Sequence, residues 1–258
     1  IIKNRCAVTK ERYQRQMVRM EHDKLLEEPG ETESNFGRMG YWNDFYESND
    51  EFSWYSEWSD ISPFFMELVP LQMDNDDNSQ MPRVLLPGIG NDGSMVDMYD
   101  AGYKYMTAFD YAPEGVECAK RFFGEERLLK GDSNSKASLR QPEEEGVDLQ
   151  IADARDLPFE DCSFDAILEK GTLDAVYLSG AANKEISMKH LSMAVSELAR
   201  VTTKGGIVMS ITAACADAVV KAFTNDNWQT IRDGDFYITE DGYSSNNVDA
   251  IIYAWKRL

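Results

Sequence analysis

The sequence has few cysteines and few histidines. Four cysteines occur among 258 residues and none forms a C-x-x-C pair, which argues against a zinc cluster and against a disulfide framework. His22 and His190 lie in no pattern that indicates a catalytic triad or a metal site. We therefore expect no bound metal. The cysteine usage is typical of a reducing compartment, and we expect a cytoplasmic protein.

Long hydrophobic runs are also missing. The longest apolar stretches, such as 207–211, have the length of a strand, whereas a membrane span needs about 20 consecutive apolar residues. This excludes a membrane-spanning protein, and we expect no membrane partner.

Positive charge is scarce as well. The chain has 26 Lys and Arg against 46 Asp and Glu, a formal net charge of −20. Such a chain repels phosphates, so we expect no nucleic acid partner. The charge favours a basic protein as the partner. The alternative is that the acidity serves solubility alone.

The acidic excess does not extend to the amino terminus, where residues 1–24 hold seven basic residues and three acidic ones. An Arg-rich, acid-poor start fits a transit peptide, which makes a mitochondrial location the alternative, and it also fits an ordinary solvated helix. We interpret residues 1–40 as an N-terminal extension and 41–258 as one α/β domain, and we expect a monomer.

Short apolar runs alternate with helical patterns from residue 83 onward. Strands are predicted at 83–87, 105–110, 147–152, 164–169, 207–212, 228–231 and 248–255. Helices are predicted at 94–101, 114–123, 184–201 and 214–223, and flexible or long connections at 131–146 and 234–247. This alternation predicts a parallel sheet with right-handed crossovers, whose ligand lies at the carboxyl ends of the strands.

A glycine-rich loop follows the first predicted strand. Residues 88–93, GIGNDG, match the G-x-G-x-x-G pattern, which lets the backbone approach a ligand closely. Asp110 ends the next strand, where an acidic residue accepts hydrogen bonds from ribose hydroxyls. Enzymes that use NAD, FAD or S-adenosylmethionine share this device, so the loop alone does not separate them.

Later features favour S-adenosylmethionine. Asp153 and Ala154 close the third strand just before the stretch Leu-Pro-Phe at 157–159, where an acid can accept from the adenine amino group. A Gly-Gly turn at 205–206 enters the fifth strand, and two strands close the chain. The sequence therefore predicts a Rossmann-like α/β fold with a seven-stranded, mostly parallel sheet, helices on both faces and an antiparallel last strand.

The run LEKGTLDA at 168–175 resembles a signature of eukaryotic lysine methyltransferases. This family includes enzymes that act on translation elongation factor 1-alpha and a mitochondrial relative that acts on citrate synthase. The pattern YWxxFY at 41–46 and the pair Trp54-Tyr55 resemble its amino-terminal aromatic motif. The resemblance covers about 40–212. It implies a class I S-adenosylmethionine-dependent protein-lysine methyltransferase, with a small-molecule methyltransferase as the alternative.

The glycine loop and the resemblance together give the predicted cofactor contacts, which are Trp42, Tyr46, Trp54, Gly88, Gly90, Asp110, Tyr111, Asp153, Ala154 and Lys170. A lysine amine must be neutral to attack a methyl group, and an aromatic pocket lowers its pKa by desolvation. Glu169 and Asp174, beyond strand four, are the predicted catalytic residues that bind or deprotonate the lysine. The alternative is that Glu169 positions the loop and Asp174 caps a helix.

Overall fold

The computed structural model describes residues 35–71, 81–129, 145–238 and 250–258. The described strands are β1 (Arg83–Pro87), β2 (Tyr105–Asp110), β3 (Gly146–Ile151), β4 (Phe164–Lys170), β5 (Thr202–Thr212), β6 (Trp228–Ile238) and β7 (Ala250–Arg257). The described α-helices are α1 (Met39–Ser48), α2 (Trp58–Leu68), α3 (Met95–Asp100), α4 (Pro113–Arg127), α5 (Thr172–Leu178), α6 (Lys184–Val201) and α7 (Ala216–Phe223). Within these ranges, no helix is long and apolar enough to cross a membrane.

The seven strands form one sheet in the order β3-β2-β1-β4-β5-β7-β6. Strands β1 to β5 pair in parallel, and β7 runs antiparallel to both β5 and β6. The chain reverses its strand order at β1, which pairs with β2 on one side and β4 on the other. The predicted sheet, including the antiparallel last strand, is confirmed.

Both faces of the sheet are covered, and β1 shows why its sequence is apolar throughout. Val84 and Leu86 belong to one buried cluster with α2 and α3, whereas Leu85 belongs to a second cluster with α6 and α7. A strand buried on both faces needs no polar alternation. The helices therefore lie on both sides of the sheet, as predicted.

The structure adds three α-helices that the periodicity did not indicate, α1, α2 and α5. Helix α2 contains Pro63 in its interior, which weakens any sequence-based expectation of a helix. Trp58, Ile61 and Phe65 nevertheless share one buried face, and tertiary packing of an amphipathic face supplies most helix stability in proteins. Strand β5 also begins earlier than predicted, at Thr202, with a register shift against β4. Residues 1–34, most of the 131–146 insertion and residues 239–249 lie outside the described ranges.

Candidate cofactor and substrate site

A cleft lies at the carboxyl ends of β1 and β4, beside the point where the strand order reverses. Open sheets of this type bind their ligands there. About 400 Å³ of atom-free space lies in the cleft and the solvent at its mouth. Its lining comes from the glycine loop, the strand ends and the amino-terminal aromatic segment: Tyr46, Phe52, Trp54, Leu86, Pro87, Gly88, Ile89, Gly90, Asn91, Asp92, Met95, Leu168 and Lys170.

The glycine loop turns sharply between β1 and α3. Gly88 and Gly90 have φ values of +62° and +48°, a region that L side chains rarely adopt. A Cβ atom on Gly90 would stand 2.6 Å from the Tyr46 hydroxyl. The loop therefore requires glycine both for its backbone shape and for the close packing of Tyr46 against it.

Asp110 lies at the end of β2 with 2% of its surface exposed. Its Oδ2 accepts from the Gly90 N–H at 3.0 Å and from the Tyr46 hydroxyl at 3.3 Å. Its Oδ1 accepts from the Ala112 N–H at 2.8 Å. Burial raises the pKa of Asp110 to about 6, and the backbone donors act against that rise. The carboxylate thus connects the glycine loop, α1 and the start of α4.

Asp153 follows β3 and lies beside Asp110, since the Ala152 N–H donates to the Asp110 carbonyl at 2.9 Å. The buried guanidinium of Arg155 forms an ion pair with the Asp153 carboxylate. Arg155 Nη2 lies 2.7 Å from Oδ2, and Nε lies 3.0 Å from both carboxylate oxygens. The sequence analysis did not predict a role for Arg155. Its position two residues after Asp153 was the sequence feature that could have indicated this ion pair. Ala154 packs in the second buried cluster, and Tyr111 is half-buried against α1.

The aromatic residues form a continuous cluster at this end of the sheet. Successive rings of α1 and the following segment lie with centroids 5.0 to 6.1 Å apart: Phe36, Tyr41, Trp42, Phe45, Tyr46, Phe52 and Trp54. Trp42 stacks on Tyr46 and donates its Nε1–H to the Phe36 carbonyl at 2.7 Å. Of the three predicted aromatics, Tyr46 and Trp54 line the cleft, and Trp42 supports them from behind.

Lys170 ends β4 inside the cleft. Its Nζ lies 2.5 Å from Asp92 Oδ2 and donates to the Ser56 carbonyl. Asp92 also accepts from the hydroxyls of Ser53 and Ser94. The sequence prediction missed this buried network, although Asp92 stands within the glycine loop and could have been noted there.

The two predicted catalytic carboxylates lie near each other, Glu169 at the end of β4 rather than beyond it and Asp174 in α5. Glu169 is 1% exposed and accepts from the Ser210 hydroxyl and from the Leu173 N–H. Burial raises its pKa to about 8, with the Asp174 charge adding to the rise. Asp174 is 3% exposed. It accepts hydrogen bonds from Thr212 at the end of β5, from Cys215 just before α7 and from Tyr55.

Three buried polar atoms near the cleft make no hydrogen bond within the described residues: Asn91 Oδ1, Trp54 Nε1 and Ser56 Oγ. Buried polar atoms without partners are costly, so such atoms point to a ligand. The amino-acid end of S-adenosylmethionine carries an ammonium, which needs acceptors, and a carboxylate, which needs donors. Asn91 Oδ1 supplies an acceptor here and Trp54 Nε1 supplies a donor, beside the Asp92–Lys170 ion pair, so the residues fit this cofactor.

Comparisons with known proteins agree with this fit. A model of the methyltransferase domain matches residues 85–210. Among curated proteins, the chain is 26% identical over 177 residues to "eEF1A lysine and N-terminal methyltransferase homolog" of Drosophila pseudoobscura pseudoobscura, covering 68% of this chain and 22% of that one. It is 25% identical over 198 residues to the Homo sapiens "eEF1A lysine and N-terminal methyltransferase", covering 75% and 24%.

A shorter relative is the Mus musculus "EEF1A lysine methyltransferase 4", 26% identical over 187 residues, with 70% of this chain and 64% of that one covered. The chain spans about a quarter of the length of the first two relatives.

Solved structures show the same architecture. An enzyme that converts a disulfide into a thioacetal in echinomycin biosynthesis aligns with a TM-score of 0.56 at 13% identity, over 85% of this chain and 92% of that one. The N-methyltransferase NodS of Bradyrhizobium japonicum, solved with S-adenosyl-L-homocysteine, gives 0.52 at 12% identity over 84% and 98%. With its domain match over residues 85–210, its strand order and its cleft, this chain resembles the S-adenosylmethionine-dependent methyltransferases.

Proposed function

We propose that the chain transfers a methyl group from S-adenosylmethionine to a lysine side chain of a protein, with elongation factor 1-alpha as the favoured substrate. The aromatic cluster beside the cleft carries the proposal. Three features lend further support: the LEKGTLDA run, the relatives named as eEF1A lysine methyltransferases and the net charge of −20. A negative surface favours encounter with a basic protein.

The aromatic cluster suits a cationic substrate. Aromatic faces attract ammonium groups, and burial among them lowers the pKa of an amine towards its neutral, nucleophilic form. Tyr41, Phe45, Phe52 and Trp54 are half-buried, so the cluster presents part of its ring surface to solvent. Exposed acids flank these rings on α1 and just after it: Asp44, Glu47, Asp50 and Glu51. A lysine approaching the cleft would pass this acidic, aromatic border.

The cofactor supplies an electrophilic methyl group when bound, so the protein has to align the amine and exclude water. Tyr46, Trp54, Gly90, Asp110 and Lys170 would hold the cofactor. Glu169 is the proposed base: it stands next to the cleft residue Lys170 at the end of β4, and burial raises its pKa to about 8, so that its ionised form would accept a proton readily.

Labelling tests the proposal. The chain is incubated with methyl-labelled S-adenosylmethionine and three acceptors: purified elongation factor 1-alpha, a whole proteome, and a metabolite extract. We expect label in elongation factor 1-alpha at a lysine identified by mass spectrometry, and none with the Asp110→Ala variant. Label confined to the metabolite extract would favour a small-molecule methyltransferase. Label on an α-amine would replace lysine by a protein amino terminus as the acceptor.

A further inference from the structure

Residues 53–58, which we call the strap, cross from the aromatic cluster to α2 and are attached to the domain at four points. The Ser53 hydroxyl donates to Asp92 at 2.6 Å, and the Ser56 carbonyl accepts from Lys170. The other two attachments are the Tyr55 hydroxyl, which donates to Asp174 at 2.8 Å, and the Trp58 N–H, which donates to Ser94 Oγ at 3.1 Å. Trp54 lies between these attachments and lines the cleft.

The Asp174 carboxylate is already saturated with donors. Oδ1 accepts from the Thr212 hydroxyl at 2.6 Å and from the Cys215 N–H at 3.0 Å. Oδ2 accepts from the Tyr55 hydroxyl and from the Ala213 N–H at 3.2 Å. A carboxylate offers about four lone-pair sites. With all four in use, Asp174 has no free position from which to take a proton from a substrate.

Tyr55 is held in a conformation that needs support. Its φ is +67°, in the left-handed region that costs a side-chain-bearing residue energy. Its ring packs on Gly171, where an added Cβ would come within 2.8 Å of Tyr55 Cε2. The strained turn therefore persists because the ring and the hydroxyl are both fixed by the segment that opens α5.

We propose that Asp174 is a positioning residue and that its hydrogen bond to Tyr55 holds the strap in place as one wall of the cofactor cleft. The bond joins residues 119 positions apart. It fixes Tyr55 next to Trp54, so the geometry of the cleft wall depends on a residue that does not line the cleft. The inference rests on cofactor binding and does not depend on which acceptor is methylated.

The experiment compares Tyr55→Phe with Thr212→Val. Each removes one hydroxyl donor from Asp174, but Thr212 lies at the end of β5 and, within the described part of the chain, forms no hydrogen bond to the strap, so it is the matched control. Hydrogen exchange reports the strap amides directly. In Tyr55→Phe we expect exchange of peptides covering 50–58 to rise about tenfold and the Kd of S-adenosylhomocysteine to rise at least fivefold. Thr212→Val is expected to change neither.

Turnover separates positioning from catalysis. For Tyr55→Phe we expect a higher KM for S-adenosylmethionine with kcat within twofold of the parent. Equal strap exchange and equal Kd in Tyr55→Phe and the parent would overturn the proposal, as would identical changes in Thr212→Val. An Asp174→Asn variant that loses kcat while keeping strap protection and cofactor affinity would assign Asp174 to catalysis. The exchange and Kd measurements need no methyl acceptor, so they stand whatever the substrate is.

Discussion

Replacing Asp110 with alanine tests the cofactor assignment most directly. The carboxylate is buried at the end of β2 and accepts from Gly90, Tyr46 and Ala112. Two of these donors belong to segments that line the cleft, the glycine loop and α1. The substitution would remove the proposed ribose acceptor and would release the loop and the tyrosine that shape the pocket.

The expected loss follows from hydrogen-bond energies. A charge-assisted hydrogen bond contributes about 1.5–3 kcal/mol, which corresponds to roughly a 10- to 150-fold rise in Kd. Isothermal titration calorimetry with S-adenosylhomocysteine at pH 8 measures it, because Asp110 with its pKa of about 6 is ionised there. Binding to the parent should also weaken as the pH falls below about 6, since a protonated Asp110 accepts fewer hydrogen bonds.

A matched control separates this effect from the loss of a charge in general. Asp100→Ala removes a carboxylate from the end of α3, where it is paired with Arg127 away from the cleft. We expect its affinity for S-adenosylhomocysteine to equal that of the parent. If Asp110→Ala also bound with unchanged affinity, the assignment of Asp110 to the ribose would be refuted.

Two further substitutions test the loop and the buried acid. Gly90→Ala places a Cβ 2.6 Å from the Tyr46 hydroxyl at a φ of +48°, so we expect at least a tenfold loss of S-adenosylhomocysteine affinity. Gly205→Ala is the control. Its φ of +81° gives the same backbone strain, but the nearest atom to its Cβ is 3.8 Å away, so this variant should bind S-adenosylhomocysteine as tightly as the parent. The pKa of Glu169 rises on folding to about 8, so the native state binds more protons and the unfolding free energy falls as pH rises from about 4.5 to 8. Thermal unfolding at pH 5 and 8.5 measures this, and the stability of Glu169→Gln should decline less between the two pH values than that of the parent. An equal decline in stability for both proteins would contradict the raised pKa of Glu169.

Much of the fold follows from local patterns. Helix α6 and the strands β1 and β2 have the predicted bounds, because their apolar periodicity and flanking glycines are unambiguous over short stretches. The number of strands and the antiparallel last strand were also predicted, whereas the strand order came from the structure. Helix α2 was missed, since its stability comes from burying Trp58, Ile61 and Phe65 against the core rather than from its own sequence.

The positions of Gly90 and Asp110 were predictable, because each stands at or just after the end of a predicted strand. The site was less predictable where a contact joins distant segments. The Lys170–Asp92 pair and the Tyr55–Asp174 bond depend on how the aromatic segment lies across the glycine loop and β4. A pattern within one stretch of sequence carries no information on which remote donor will meet a buried carboxylate.

The two neighbouring acids Glu169, at the end of β4, and Asp174, in α5, therefore differ in their hydrogen-bond partners. Both are buried, yet Glu169 accepts from Ser210 and Leu173, whereas Asp174 accepts four hydrogen bonds from two separate segments, the strap and residues 212–215. Carboxylates that must exchange protons need a pKa near the working pH, and burial gives Glu169 one at about 8. A carboxylate whose acceptor sites are all filled, such as Asp174, instead suits a residue that fixes the positions of the groups bonded to it. The LEKGTLDA run thus places a proposed proton acceptor at the end of β4 and a proposed positioning residue five positions later, in the first turn of α5.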